Sequence, residues 1–506
     1  MNNIINEYIS FSKKLNNLSE DKYPKVKEII KQNTLKILES HEKSKNTELV
    51  VNNVELSKET LDFLSSNEDT FIRNGVAKHP NTPEDILRTL ATDDNHYVRQ
   101  YVAEHPNAPE DLLRSLATDE NSYVRSHVAE HPNTPEDNLR SLSIDEDSSV
   151  RCRVARNPNT PEDILRTLAT DENSYVRQWV AQNPNTPDDA LRFLATDDNS
   201  YVRGHVAKHS NTPEDVLRTL ATDENHYVRQ WVVKHPNTPE DLLRSLSTDE
   251  CDYVRGRVAK RSNTPEDALR VLATDENTNV IGFVARNPNT PEDALKILST
   301  DEDSSVRQWV AQNPNTPEDV LRSLATDEDS YVRGFVAKHP NAPEDVLRSL
   351  ATDENHHVRQ YAAENPNTPE DVLRSLATDE DSYVRSFVAK HPNAPEDLLR
   401  SLATDENVNV IKFIAKQKKL SEELLFTLVS HENSLVRRKL AGNPHVPENI
   451  LRILSTDTCS KVREKVALNP KTSEDIILTM KDDISKRVLK QISFREKLIN
   501  YGVYSN

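Results

Sequence analysis

Residues 160–185 read TPEDILRTLATDENSYVRQWVAQNPN, and close variants of this stretch recur along most of the chain. A proline stands at 83, 109, 135 and 161, and onward at the same constant interval to 395, then again at 447. Ser57, Ser421 and Ser473 hold the same phase where proline is missing, which makes 17 registers. Self-similarity at a fixed period of this length marks a repeat architecture. Within one unit, Thr160 has the chemistry of a helix N-cap, Pro161 suits the first helical position, and Asp163 falls where a capping box places its acid. Ile164, Leu165 and Leu168 then form an apolar face about two turns long. Asp171 is expected to cap a second helix, whose buried stripe is Val176 and Val180 with Ala181 on its flank. Asn183-Pro184-Asn185 ends it, because proline cannot continue a helix and asparagine tolerates turns. Helices this short are marginal alone in water. They become stable only if each unit buries its apolar face against the next, which predicts an all-α solenoid of about 17 two-helix repeats.

That period changes the meaning of the bulk composition. The chain has 506 residues, a formal net charge of -19 and 35% hydrophobic residues. Taken alone, these values point to disorder, or by length to three or four globular domains. Phasing the acids shows instead that 62 of the 83 occupy four repeat positions, those of Glu162, Asp163, Asp171 and Glu172. All four are expected at helix starts, where the helix dipole favours negative charge, so the charge is read mainly as architecture. An acidic edge mimicking a nucleic-acid backbone is the lesser reading. Arg177 recurs almost as faithfully, with isoleucine replacing it at Ile281 and Ile411. An Asp–Arg ladder, with Asp171 facing Arg177 or a neighbour's arginine, is preferred over a cationic ladder for phosphates.

Motifs of the form NPNTPED followed by DEN-YVR resemble the leucine-rich repeat variant family over roughly residues 57–490. The resemblance implies a right-handed superhelix of α and short 3-10 helices. The founding type of that family carries an iron–sulfur cluster in a cysteine-rich N-terminal region. Here the first cysteine is Cys152, so that cofactor is not carried over. Asp171 and Arg177, six residues apart, give a weaker likeness to HEAT repeats. The expected organisation is an N-terminal helical cap over 1–43, the solenoid over 44–481, and a C-terminal cap and tail over 482–506. In the first cap Val26, Ile29, Ile30, Leu35 and Leu38 fall at helical spacing. In the last, Asp483, Val488 and Ile492 keep the phase of Asp171, Val176 and Val180.

Function is sought where the repeat varies. The phase of Trp179 holds Tyr101, His127, Arg153, His205, Trp231, Arg257, Phe283, Trp309, Phe335, Tyr361, Phe387 and Phe413, including all three tryptophans of the chain. The phase of Gln182 is often cationic, as at Lys208, Lys234 and Lys260. Aromatics and arginine dominate binding hot spots, so Tyr101, Arg153, Trp179, Trp231, Arg257, Phe283, Trp309, Phe335, Tyr361 and Phe387, with Lys208, Lys234 and Lys260, form a candidate partner-binding ridge. The competing reading has the aromatics covering the joint between units. Blocks such as DENSYVRQWVAQNP at 171 and DEDSSVRQWVAQNP at 301 repeat after five units, so duplication also shares out surface residues.

Catalytic chemistry is not indicated. No phosphate loop, nucleophile elbow or paired-cysteine zinc motif occurs, and the chain has only seven glycines. The i, i+4 pairs His127/His131 and His205/His209 lack a third ligand, so no metal and no cofactor is expected. No segment has the roughly 20 apolar residues of a membrane span, the start lacks a secretory pattern, and three scattered cysteines suit a reducing cytoplasm. The resulting expectation is a non-catalytic cytoplasmic scaffold for a protein or peptide, without membrane association. Nucleic-acid association, as in HEAT-like DNA glycosylases, is the alternative, and the net charge opposes it.

Overall fold

The computed structural model describes Leu56 and residues 58–500, with side chains as far as Arg495. The expected N-terminal cap over 1–43 lies outside the described residues, as does the end of the tail from 501. Every element among the described residues is an α-helix. The chain divides into two units, one ending at Leu242 and one starting at Leu243. Each is an α-solenoid, a tandem stack of helix pairs.

One pair shows how the sequence builds all of them. The first helix, Glu162–Leu168, buries Ile164, Leu165 and Leu168, and the second, Ser174–Gln182, buries Val176, Val180 and Ala181. Consecutive second helices pack closely, whereas consecutive first helices touch little. The first helix is α-helical over its whole length. The 3-10 character implied by the family resemblance is found in the turn that closes it, where Thr170 N–H donates to Thr167 O (3.2 Å) and Asp171 N–H to Leu168 O (3.1 Å).

Three capping expectations are corrected. Pro161 occupies the N-cap position of the first helix and makes no side-chain cap bond. Thr160 turns inward instead, its hydroxyl donating to Val154 O in the second helix of the preceding repeat. Asp163 does not close a capping box but pairs with Arg140 of that preceding repeat. For the second helix the cap is Asn173, which accepts from Tyr175 N–H (2.9 Å), not Asp171. Asn173 stands directly before the helix, where its side chain reaches the free N–H, and the aspartate two residues earlier is released for another task.

That task is the ladder. Asp171 accepts from Arg151 of the previous repeat through Nε (2.6 Å) and Nη2 (3.0 Å), while its Oδ1 also takes the Asn173 N–H (2.8 Å). Arg177 does the same one repeat on, meeting Asp197 at 2.6 and 2.9 Å and giving its Nη1 to the backbone carbonyls of Asp171 (2.8 Å) and Glu172 (3.1 Å). So Arg177 meets the backbone oxygen of its own Asp171 and the carboxylate of the next repeat's Asp197. These side chains are only 13% and 3% exposed. At the C-terminal end Arg463 pairs with Asp483 (2.5 Å), and Val488 and Ile492 are buried as their phase requires.

A second ladder runs through the position of Asn183. Its amide donates to Ala155 O (2.7 Å) and Asn157 O (2.9 Å), capping the open C-terminal end of the previous second helix, while Asn185 N–H donates to its Oδ1 (2.9 Å). Histidine serves at other registers. His131 Nδ1 accepts from Asn133 N–H (3.1 Å), so Nε2 carries the proton and meets His105 O (3.1 Å). Arg495 takes the position at the last register, donating to Asn469 O (2.6 Å). A third, solvent-exposed ladder links the arginine of one first helix to the aspartate of the next, as Arg166 to Asp189 (2.7 Å).

Burial differences between these ladders give an expected outcome. Arg177→Ala orphans a nearly buried carboxylate and should lower stability by about 3 kcal/mol, whereas Arg166→Ala, in a pair 44% and 61% exposed, should leave the unfolding midpoint almost unchanged. Thermal and denaturant unfolding of both variants checks this. The histidine ladder sets a pH response. Burial holds His105, His131, His339 and His391 below their ordinary value of 6.5, so the unfolded chain takes up protons first on acidification. The stabilisation is full above pH 6.5 and is lost as pH falls through the lower folded values. Asparagine at all four positions keeps the interrepeat bond and should make the fall in unfolding midpoint between about pH 7.5 and pH 5 less steep.

Candidate functional site

Second helices present two aromatic rows. The first is the ridge of Trp179, and its members are half-buried, apart from the exposed Arg257. What buries each one is the residue just before the ridge position on the preceding second helix. Gly204 faces Trp231, with 3.9 Å between the indole and the place a Cβ would take. The corresponding separation is 3.4 Å for Gly256 under Phe283 and 3.2 Å for Gly334 under Tyr361. Under Trp309 the fit is tightest, and a Cβ on Gly282 would collide with the ring. Where the ridge residue is His127 or His205, the residue beneath is Gln100 or Gln178. The size relation is confined to these registers, since the same position beneath Phe335 and Phe387 holds Gln308 and Gln360.

Charge follows a similar rule, from the last turn of the preceding second helix. Lys78 lies 3.6 Å from the Tyr101 ring centre, Arg156 4.9 Å from Trp179, Lys208 5.2 Å from Trp231, Lys260 5.6 Å from Phe283 and Arg286 3.9 Å from Trp309. Lys234 approaches Trp231 at 4.2 Å from its own helix, as Lys390 approaches Phe387 at 5.1 Å. Beneath His127 and Arg153 the cation is replaced by an acid: Glu104 meets His127 Nδ1 at 3.1 Å, and Glu130 pairs with Arg153. Burial nevertheless holds the His127 ring below its ordinary range. Each cation–π contact contributes about 0.5–1 kcal/mol at such partly wet sites. The ridge thus has one aromatic edge in the joint between repeats and another edge toward solvent beside the cations.

Sequence reasoning passed over the second row. Tyr97, Tyr123, Tyr175, Tyr201 and Tyr227 in the first unit, and Tyr253, Tyr331 and Tyr383 in the second, are 52–73% exposed. Phe71 holds the same phase and is 60% exposed. Each ring projects from the first turn of a second helix, and in all but the Tyr253 helix, where Cys251 makes no cap bond, an Asn or Asp side chain accepts from the N–H of the ring residue. Three residues before each ring stands an acid that points outward, Glu172 for example at 91% exposed. The same phase holds Ser149, Asn279, Ser305, His357 and Asn409, and exposure is what marks the tyrosines as a surface row.

With this geometry in view, four segments match the family described as leucine rich repeat variant: residues 98–121, 149–173, 305–329 and 356–381. These four segments are similar to leucine rich repeat variant units. Among solved structures, a leucine-rich repeat variant with a novel repetitive structural motif is similar at 26% identity, covering 49% of this chain and 87% of that one, with a TM-score of 0.34. The crystal structure of Kap121p aligns at 13% identity over 92% of this chain and 56% of that chain, with a TM-score of 0.36. Importin beta aligns at 12% identity over 98% and 63% of the respective chains, with a TM-score of 0.26. No curated protein matches the sequence.

The paired histidines serve different partners. His131 and His209 turn inward to backbone carbonyls, while His127 faces Glu104. Among the described residues, no three His, Cys, Asp or Glu side chains are grouped to hold a metal ion. Nor is any described helix long and apolar enough to cross a membrane.

The joint beneath the ridge sets opposite signs for one kind of substitution. Alanine normally stabilises a helix by about 1 kcal/mol over glycine. Gly204→Ala, with ordinary contact distance to Trp231, should show that gain. Gly282→Ala must displace Trp309 and should instead lose about 1–3 kcal/mol. Equilibrium unfolding of the two variants separates them.

Proposed function

We propose that this chain is a non-catalytic cytoplasmic scaffold that holds a protein or peptide along the second-helix side of its repeats. The observation that carries the reading is the row of exposed tyrosines. Large apolar rings left in water at regular spacing are uncommon on a surface with no partner, and tyrosine supplies contact area at low cost in side-chain entropy. Outward acids beside the rings suit a partner segment carrying lysine or arginine, through ionic attraction and contact with the ring faces. The half-buried ridge adds the exposed edges of Trp179, Trp231 and Trp309, with Lys208 and Lys234 beside Trp231 and Lys260 beside Phe283.

Separating the rows is the useful test. Tyr123→Ala, Tyr175→Ala and Tyr201→Ala combined should leave the unfolding midpoint nearly unchanged and release the partners that co-purify with the native chain. If every partner is retained at unchanged affinity, the tyrosine row is not the binding face. Alanine at Trp179, Trp231 and Trp309 should lower stability because those rings fill the joints. Mixed-sequence DNA and RNA titrated at low salt provide the counter-test: a complex that dissolves steeply with added salt would replace the protein-scaffold reading by nucleic-acid association.

A further inference from the structure

In the second unit, the repeats over 411–470 break the charge pattern. The ridge phase, aromatic as far as Phe413, becomes lysine at Lys439 and Lys465. The phase beneath the ridge, glycine at four earlier registers and otherwise Asn, Gln, Ser or Cys, becomes Lys412 and Arg438. In the loop, QKKL at 417–420 replaces the usual NPNT and adds Lys418. Lys416, Lys418, Arg438, Lys439 and Lys465 line one cavity of about 540 Å3, and no carboxylate lines it. Its floor is opened by Gly442, where other registers carry a long side chain, and the Lys465 stem passes 3.7 Å from the place a Cβ would take.

These cations are anomalous in this chain. Arginines of both salt-bridge ladders have carboxylate partners, as Arg437 has Asp457 and Arg452 has Asp475 within this same segment. Among the described residues, none of the five lining cations has a carboxylate within 4.0 Å. The Lys416 charge above all, with burial and the charges of Arg438, Lys412 and Lys465, holds the Lys439 ammonium below its ordinary range. Uncompensated repulsion of this kind lowers stability unless a counter-charge fills the space. A net charge of -19 supplies carboxylates throughout the repeats, yet this cavity receives none.

We propose that this cavity binds a small molecule bearing two or more linked phosphate groups. Several ammonium groups and one guanidinium converge on a space sized for a compact polyanion, and phosphate oxygens accept charge-assisted hydrogen bonds from both. A nucleic-acid strand is disfavoured because its phosphates need an extended basic track, whereas these cations are confined to two successive second helices and the loop before them. Binding would place negative charge among groups that repel one another, so it also stabilises this end of the stack.

Inorganic tripolyphosphate, titrated calorimetrically into the full chain at low and then physiological salt, is the probe. Binding at one site is expected, with a rise in the unfolding midpoint. Lys439→Met with Lys465→Met should weaken binding by on the order of a hundredfold. The same variant without ligand should unfold at an equal or higher temperature, because repulsion has been removed. Lys208→Met with Lys338→Met, in cation–π contacts elsewhere, should bind as the native chain does. Absence of saturable binding at low salt overturns the proposal, as does undiminished binding by the Lys439/Lys465 variant. Displacement of tripolyphosphate by single-stranded RNA with affinity rising with strand length would overturn it in favour of a nucleic-acid backbone.

Discussion

One guanidinium per repeat holds the loop between two helices and the next repeat at the same time. Arg177 gives Nη1 to the carbonyls of Asp171 and Glu172, and Nε and Nη2 to Asp197. The planar fork matters, since a lysine could not serve a bend in its own chain and a carboxylate opposite it in one geometry. With that turn fixed, Asn173 can cap the second helix, and Val176 and Val180 meet the seam. Helices of two turns or so have little stability of their own. Their persistence here depends on polar ends that close on adjacent repeats as surely as on the buried leucines and valines.

The interruptions of this ladder are informative. Where isoleucine replaces arginine at Ile411, the place of the matching aspartate in the next repeat is taken by His431, so both partners are absent together. At Ile281 the aspartate remains, and Asp301 still accepts the Asp303 N–H at 2.9 Å. The aspartate therefore has a local role in the turn that survives loss of its arginine.

Much of this was legible in the amino-acid sequence because a short, strict period writes the same instruction many times. The apolar positions, the two helices and the Asp–Arg partnership all follow from it. Periodicity has a blind spot, however: a residue at one phase faces several equivalent partners, and the letters do not say which copy is meant. Arg177 stands close to Asp171 in sequence but pairs with the carboxylate of Asp197, in the following repeat. Capping was misread for a related reason, since Thr160, Asp163 and Asp171 have good capping chemistry and are drawn away by neighbouring repeats. The ridge was visible as variation, whereas the tyrosine row stands out only through its exposure. Conversely, the basic cavity near Lys439 needed coordinates, because its cations come from three repeats and a loop.

The bonds between repeats span fixed separations of 20, 23, 26 and 28 residues, as from Arg177 to Asp197, Arg166 to Asp189, and Asn183 back to Asn157 and Ala155. None of these links reaches beyond the adjacent repeat. Removing or inserting one whole period therefore presents every donor with an acceptor of the same kind in the same register, while any other change of length misaligns all the ladders at once. Such a chain can be lengthened or shortened by recombination between its own copies without passing through a misfolded intermediate length. Its surface thereby behaves as a ruler that is graduated in repeats.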